Sequence, residues 1–258
     1  MKRVVSFALF RGAAWAAERA ARSATPRNAD APWVRDYEEA MPPAVAAARI
    51  LLPSWEVRIH HDGCSPWIER AAAAGHVVAV DCGAAPELGK AALWRMMPLF
   101  DDNVEAFITR DLDAVMMPLE AGAVQQWIAS GYPLHMIHDH QLHYKTLAGL
   151  LGLRCAVARE QLGAREWSTW VDAPYRWDVH GADQAFLNDK LAIASGLGVM
   201  LHLLRGNRRG MPHNTRYVLH EAPGERWPWF IGAPVAPAAA LPFLLARDEK
   251  TTREILAL

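Results

Sequence analysis

Two aspartates separated by one residue follow directly on an apolar run in "FITRDLDAVMMPLE" (107–120). The run predicts a strand, on which the side chains of Asp111 and Asp113 would share a face. Two carboxylates placed this close repel each other unless a positive charge lies between them. A divalent cation would supply that charge, and so would an arginine such as Arg110. The pair therefore predicts either a cation site or a solvated turn held by an ion pair.

The place of this pair in the chain is compatible with the cation site. In open α/β sheets, ligands gather beyond the carboxyl ends of the strands, which is where the pair is expected. Mg²⁺ and Mn²⁺ prefer carboxylate oxygens and often bridge to substrate phosphates. Asp111 and Asp113 are therefore candidates for binding Mn²⁺ or Mg²⁺ together with a nucleoside diphosphate, and the solvated turn stays open because many surface turns contain the same motif.

A second group of metal-ligating residues lies in "HMIHDHQLH" (135–143), which holds four histidines and Asp139. Histidine nitrogens favour zinc or iron over magnesium. On a strand, His138 and His140 would share a face, which suits chelation. The cluster from His135 to His143 is therefore either the centre of a metal-dependent hydrolase or a polar strand end beside another site.

The elements that must position these residues alternate along the chain. Apolar runs predict strands at 4–10, 55–62, 76–82, 105–113 and 133–139. Helical patterns lie at 36–53, 65–75, 85–101 and 119–131. This alternation predicts an α/β fold, a three-layer sandwich around a mainly parallel central sheet. No internal repeat or low-complexity linker divides the chain, so we expect a single domain over residues 1–258.

Local signals refine three of these elements and mark a further helix near Asp183. Ser65 is expected to cap the helix at 65–75, which Gly75 would end. The prolines at 42–43 are expected near the start of a helix, where proline is tolerated. The strand at 76–82 is expected to be buried. Asp183 precedes a helical pattern and is either an N-cap residue or a site residue.

Composition excludes several function classes. The formal net charge of −1 gives no electrostatic footprint for nucleic acid. Three scattered cysteines fit a reducing compartment better than a disulfide framework. The apolar N-terminal run imitates a signal peptide, but Arg11 closes it early, so a first strand is favoured. With no membrane span expected from the sequence, we predict a cytoplasmic protein.

Several motifs, taken in order, resemble the GT-A-fold glycosyltransferases, which transfer a sugar from a nucleotide donor. "FITRDLDAVMMPLEAGAVQQWIASGYPLHMIHDHQLHYKTLAGLLG" (107–152) is similar to a bacterial and viral group of these enzymes. That group carries an Arg-Asp-x-Asp-Ser run, a tryptophan-bearing helix, an Arg-Asp-His turn and a Gly-Gly-x-x-Gly segment. "LLPSWEVRIHHD", "LWRMMPLFD" and "GADQAFLND" resemble its second strand, the helix before the motif and an Asp-Gln helix.

The chain also departs from that pattern. Ala114 stands in place of the usual serine, and Leu119 stands where an arginine is common. His138 replaces the arginine before Asp139, and Ala148 replaces the first glycine of the Gly-Gly pair. These departures put the substrate choice and the level of activity in doubt, but they leave both acids of the motif in place.

The resemblance implies a role for each matching residue. Asp113 would be the direct metal ligand. Asp111 would hold the ribose or the metal's water shell, so both aspartates belong to the expected metal site. Asp183 and Gln184 would be the catalytic pair at the junction of donor and acceptor. His220 would be a third metal ligand, with His213 as its rival.

The resemblance also implies the donor site. The residues expected to contact the donor nucleotide or its diphosphate are Phe7, Asp62, Arg95, Arg110, Asp111, Asp139 and His140. Residues 1–115 would form the nucleotide-binding half of the domain and residues 116–258 the acceptor-side half. The implied substrates are a nucleotide-diphosphate sugar and a glycan, glycolipid or other acceptor. A relative that binds the donor without turnover is a further alternative.

Overall fold

The computed structural model describes ten stretches of the chain. These are residues 1–10, 37–63, 65–84, 87–139, 145–172, 174–179, 181–192, 197–203, 215–219 and 237–258. His140 and His220, both expected at the site, lie outside the described residues, and so does most of the basic segment 205–216.

Within those stretches the chain forms eight strands and nine α-helices. The strands are β1 Lys2–Leu9, β2 Glu56–His61, β3 Val78–Asp81, β4 Val104–Thr109, β5 Leu134–His138, β6 Leu151–Arg154, β7 Val199–Leu203 and β8 Thr215–Leu219. The helices are α1 Tyr37–Leu51, α2 Pro66–Ala73, α3 Leu88–Ala92, α4 Pro118–Ser130, α5 Cys155–Leu162, α6 Trp167–Val171, α7 Ala182–Leu187, α8 Pro237–Arg247 and α9 Glu249–Leu256. A 3₁₀-helix follows α3 at Leu93–Phe100, and a π-helical turn follows α7 at Asn188–Ala192.

All eight strands belong to one sheet in the order β3-β2-β1-β4-β6-β5-β7-β8. Every neighbouring pair is parallel except the two pairs made by β6, which runs antiparallel to β4 and β5. The chain moves outward from β1 through β2 to β3 and then returns to place β4 on the other side of β1. This reversal creates a switch point between β1 and β4, where open α/β sheets form their ligand crevice.

Helices cover both faces of the sheet. Alternate residues of β1 point to opposite sides, as the pleat requires. Val5, Phe7 and Leu9 pack into one core with α1, α2, α8 and α9, while Val4 packs into another with Phe107, α5, α6 and α7. The predicted three-layer α/β sandwich with a mainly parallel central sheet is therefore confirmed.

The strand that leads to the aspartate pair is shorter than the sequence predicts. β4 ends at Thr109, so Asp111 and Asp113 lie in the turn that follows it. The expectation that they share one face of a strand is therefore wrong, although the expectation that they follow the carboxyl end of a strand is confirmed. The backbone N–H of Arg110 still donates to Ser6 O of β1 at 3.0 Å, which fixes where the turn begins.

Three local predictions also need correction. Val78 of β3 is 40% exposed, because β3 is an edge strand and not a buried one. Ser65 precedes α2, but its hydroxyl makes no capping hydrogen bond. Pro42 and Pro43 lie inside α1, beyond the first turn of a helix that begins at Tyr37, and not near its start. Across the described residues, we find no helix with the length and apolar character needed to cross a membrane.

Candidate functional site

A buried arginine joins two of the predicted site aspartates. Arg95 lies in the 3₁₀-helix, where its Nε donates to Ala92 O at 2.8 Å. One terminal nitrogen of its guanidinium, Nη1, pairs with Asp111, and the other, Nη2, lies 3.2 Å from Asp183 Oδ2. The structure thus brings together residues 88 positions apart in the chain.

The charges around this arginine reinforce one another. Burial on its own lowers the pKa of Arg95, but the nearby carboxylates of Asp111 and Asp183 outweigh it and the net shift of the pKa is upward. The side chain of Asp183 is 14% exposed and that of Asp111 is 45% exposed. Asp111 therefore keeps one side open to a ligand while the arginine holds the other.

Asp183 is not the N-cap of its helix. α7 begins at Ala182 after Gly181, which has a φ of 80° and supplies the N-cap position. Asp183 therefore lies in the first turn, where it can pair with Arg95 across the space between α7 and the 3₁₀-helix. The N-cap interpretation is wrong, and the alternative of a site residue stays a prediction.

Asp113 carries an unfavourable charge. Burial raises its pKa, and the neighbouring Asp111 raises it further, to about 6. Arg110 and Arg95 pull in the other direction without restoring the usual value. A partly buried carboxylate that is costly to ionise next to a second carboxylate is an arrangement that a bound cation would stabilise.

Gly149 packs directly against the Asp111 carboxylate. A Cβ at this position would lie 2.9 Å from Asp111 Oδ1 and closer still to Oδ2. No side chain larger than hydrogen fits there unless Asp111 moves. This explains in physical terms why a glycine follows Ala148 in the segment that the resemblance singles out.

Arg110 is buried and forms its ion pair with a glutamate of the following helix. Its guanidinium forms a buried ion pair with Glu120 of α4, at 3.2 Å from Nη1 to Oε1. It also donates to Ala114 O at 3.1 Å and to Gly149 O at 3.3 Å. Burial raises the pKa of Glu120, although the charge of Arg110 acts in the opposite direction. Arg110 thus ties together the turn after β4, the helix that follows and the backbone beside Asp111.

Several of the predicted site residues contact the segment that follows β5. We call residues 145–149 the crossing segment, because it leads from the described end of β5 towards Asp111. Gln184 Oε1 accepts from Ala148 N at 2.9 Å, and Asn188 Oδ1 accepts from Thr146 N at 2.9 Å. Gln184 is therefore engaged with backbone and not open on all sides.

The remaining expected donor contacts lie at the ends of three strands. Phe7 has its side chain in the core, 2% exposed, while its carbonyl oxygen lies 3.2 Å from His60 Nδ1. Asp62 follows β2 and is partly exposed. Asp139 follows β5 and is 5% exposed. Since β1, β2 and β5 run parallel to β4, Asp62 and Asp139 share its carboxyl edge, and Phe7 lies two residues before the end of β1.

The described histidines of the 135–143 cluster are engaged with other parts of the protein. His135 Nε2 lies 2.9 Å from Nδ1 of His202 on β7, and His135 stacks on Trp127. Burial holds the pKa of His135 well below its usual value. His138 Nε2 lies 2.8 Å from Lys145 O. Because these rings are buried among protein groups, the hydrolase alternative is not favoured.

A large aromatic cluster packs beside the site. Trp170 and Trp177 are 5% and 3% exposed and contact the ring of Phe186 on α7. Trp167 and Tyr175 are half-buried at its edge. The described rings therefore serve mainly as core, and this core fixes the helix that carries Asp183 and Gln184.

Two contacts of the site were missed in the sequence. The Arg110–Glu120 ion pair is one, although a charged residue in the first turn of a mostly apolar helix could have signalled it. The other is the pairing of Gln184 and Asn188 with the crossing segment, for which the only signal is their spacing of four residues, one turn of a helix.

The described residues form no cluster of three or more histidine, cysteine, aspartate or glutamate side chains that could hold a metal ion. Two carboxylates are nevertheless a sufficient protein contribution for Mg²⁺, which keeps several waters and takes further oxygens from substrate phosphates. Asp111 and Asp113 fit such a site, with Asp111 open on one side and Asp113 poorly compensated.

No protein-family profile matches this chain, and no curated protein matches it either. Solved structures that resemble it include a protein described as a nucleotide-diphospho-sugar transferase from Desulfovibrio desulfuricans G20, at 13% identity, 82% and 84% coverage of the two chains and a TM-score of 0.43. CMP:2-keto-3-deoxy-manno-octonic acid synthetase in complex with CTP gives 15% identity, 95% and 98% coverage and a TM-score of 0.46. S. aureus TarS 1–349 gives 13% identity, covers 73% of this chain and 56% of its own, and has a TM-score of 0.38. Superpositions this loose are no basis for assigning an activity.

Proposed function

We propose that this protein is a glycosyltransferase that moves a sugar from a nucleotide-diphosphate sugar to an acceptor, with Mn²⁺ or Mg²⁺ at Asp111 and Asp113. The observation that carries the proposal is that Asp111 and Asp113 lie beyond the carboxyl end of β4, with Asp111 and Asp183 both paired to buried Arg95. That edge lies next to the switch point of the sheet, where the ligand crevice of such folds forms.

The donor's diphosphate would meet a site with both signs of charge. Asp113 would be the direct ligand of the cation, and Asp111, oriented by Arg95, would hold a ribose hydroxyl or a metal-bound water. When bound, the cation would supply Lewis-acid neutralisation of the diphosphate leaving group. Asp62 and Asp139, which follow β2 and β5, would contact other parts of the donor, and His140 and His220 remain candidates outside the described residues.

Asp183 would face the bond that is broken. Its carboxylate could accept the proton of the attacking hydroxyl in an inverting transfer, or stabilise positive charge at the sugar in a retaining one. Its pairing with Arg95, at 3.2 Å, fixes the direction of the carboxylate. Arg95 would then link the two halves of the reaction, since it touches one acid of the donor side and one of the acceptor side.

Arg110 would support this site indirectly. Its guanidinium is committed to Glu120 and to two backbone carbonyls, so its role would be to fix the turn that carries Asp111 and Asp113. This replaces direct neutralisation of the diphosphate as its proposed role.

Thermal unfolding in the presence of nucleotides tests the proposal. UDP or GDP at 100 times its Kd, added with Mn²⁺, should stabilise the folded protein by about 2.7 kcal/mol, visible as a rise of a few degrees in Tm. The rise should require both components and should vanish in Asp113→Asn. A rise that persists in Asp113→Asn would show that the cation site is elsewhere, and slow hydrolysis of the bound donor would separate an enzyme from a silent binder.

A further inference from the structure

The crossing segment, residues 145–149, is held by side chains at nearly every residue. At its beginning, His138 Nε2 lies 2.8 Å from Lys145 O, and because a carbonyl can only accept, this nitrogen carries the proton. Lys145 has a φ of 58°, which a lysine rarely adopts and which therefore needs surrounding contacts to persist. At its end, Gly149 lies against Asp111 and its carbonyl accepts from Arg110.

The middle of the segment is held by two amide side chains. The N–H of Ala148 donates to Gln184 Oε1 and the N–H of Thr146 donates to Asn188 Oδ1, each at 2.9 Å. Gln184 and Asn188 are one helical turn apart and so face the same way. Buried backbone N–H groups need an acceptor, and these two side-chain oxygens provide it.

The direction of these hydrogen bonds limits what Gln184 can do elsewhere. A backbone N–H only donates, so the oxygen of the Gln184 amide must face Ala148 and its NH₂ must face away. If Gln184 contacted substrate, it would do so through that NH₂. If it served only to hold the segment, a carboxylate oxygen at the same place would serve as well.

We propose that Gln184 and Asn188 are positioning residues that act on the site through the backbone of the crossing segment and not on the substrate. They fix Ala148 and Thr146, and the segment in turn presses Gly149 against Asp111 and limits the positions its carboxylate can take. In its bearing on catalysis this inference rests on the proposed function, since it deepens the role of the same aspartate.

The position of Gly149 makes this coupling stiff. If residue 149 had a Cβ, that atom would lie closer to the Asp111 carboxylate than a van der Waals contact allows. A small shift of the segment therefore changes the space open to Asp111. Arg95, in the 3₁₀-helix, restrains the same carboxylate through an ion pair. Asp111 is therefore set by two supports, and loosening the crossing segment removes one of them.

Hydrogen exchange in the ligand-free protein tests the mechanical part of the inference. Gln184→Met keeps the length of the side chain but removes the acceptor, whereas Gln184→Glu keeps an acceptor oxygen. We expect the Ala148 amide to exchange about tenfold faster in Gln184→Met, the effect of one lost hydrogen bond, and within about threefold of the parent in Gln184→Glu. Asn188→Leu and Asn188→Asp form a matched pair at Thr146, and they decide the question if Gln184→Met does not fold.

Titration with UDP or GDP in the presence of Mn²⁺ tests the link to the site. We expect the Kd to rise about tenfold in Gln184→Met. In Gln184→Glu most of the lost affinity should return, so that its Kd lies close to that of the parent. Asn188→Asp adds the same charge farther along the segment and measures the effect of charge alone. If Gln184→Glu binds as poorly as Gln184→Met while its Ala148 amide stays protected, the NH₂ of Gln184 contacts the ligand and the inference is overturned.

Failure of the inference and failure of the proposed function give different results. If the parent binds neither nucleotide, the proposed function fails, while the exchange rates at Ala148 and Thr146 still decide whether these amides are held by the two side chains. Unchanged exchange in both Gln184→Met and Asn188→Leu would overturn the inference whatever the protein binds.

Discussion

Asp113 offers a test in which stability and function should change in opposite directions. Its pKa is raised from 3.8 to about 6, first by burial and then by Asp111. A raised pKa in the folded state means that the folded protein holds this proton more tightly than the unfolded chain does. The ionised side chain therefore costs nothing below pH 3.8, costs more as the pH rises, and reaches its full cost above about pH 6.

The size of that cost follows from the two pKa values. A change from 3.8 to about 6 corresponds to roughly 3 kcal/mol, at ~1.4 kcal/mol for each pKa unit. Partial exposure of the side chain makes this an upper bound. Asp113→Asn removes the charge with little change in shape, so we expect the metal-free variant to be about 1–3 kcal/mol more stable than the parent at pH 8 and equal to it near pH 4.

Urea unfolding in EDTA at pH 4, 6 and 8 measures this difference. Asp178→Asn is a matched control, because its side chain is 69% exposed and its charge should matter little. In Mn²⁺ with UDP the order should reverse, since only the parent gains stability from the ligand. An Asp113→Asn variant that is less stable than the parent at pH 8 in EDTA would refute the reasoning, because the carboxylate would then have a favourable partner.

Three further predictions concern the supports of the site. Gly149→Ala should lower the free energy of unfolding by about 1–3 kcal/mol and weaken Mn²⁺-dependent nucleotide binding about tenfold or more, because the added methyl group meets the Asp111 carboxylate. The control Gly122→Ala, on the open face of a helix, should be neutral or slightly stabilising. His60, whose pKa burial lowers to about 3, should cost ~1.4 kcal/mol of stability for each pH unit below 6.5 and about 2 kcal/mol by pH 5, and acid titration of His60→Gln should show a shallower slope. Removing one partner of the buried pair, in Arg110→Met or Glu120→Ala, should cost about 3–5 kcal/mol in urea unfolding, and the double variant should cost clearly less than the sum.

The layers of the fold could be predicted because they rest on local patterns. The apolar runs that form β1 and β4, Lys2–Leu9 and Val104–Thr109, are largely buried in a mainly parallel sheet, and they stand out against the helical spacing between them. β6 was missed because a strand of four residues, "LGLR", has no periodicity of its own. It forms only because β4 and β5 on either side offer it hydrogen-bonding partners.

The site was predictable in its location and not in its connections. Two aspartates after a strand mark a sheet edge, and the topology then decides that this edge faces the switch point. The arginine that pairs with Asp111 could not be predicted from neighbouring residues. Arg110 is adjacent in sequence but pairs with Glu120, while the partner of Asp111 is Arg95, from another element. Which arginine pairs with Asp111 depends on the buried partners available to each guanidinium, and Arg110 pairs with Glu120.

This division of the two arginines also bears on how a short acidic motif becomes a site. A solvated turn needs no support, because water satisfies its carboxylates. Here Asp111 is fixed by Arg95 and by the backbone of Gly149, and the turn is anchored from below by Arg110. Burying two guanidinium groups and a glutamate is costly, and a turn on the surface would gain nothing from it. The cost is reasonable if the position of the two carboxylates matters, because a bound cation and diphosphate reward carboxylates that are already in place.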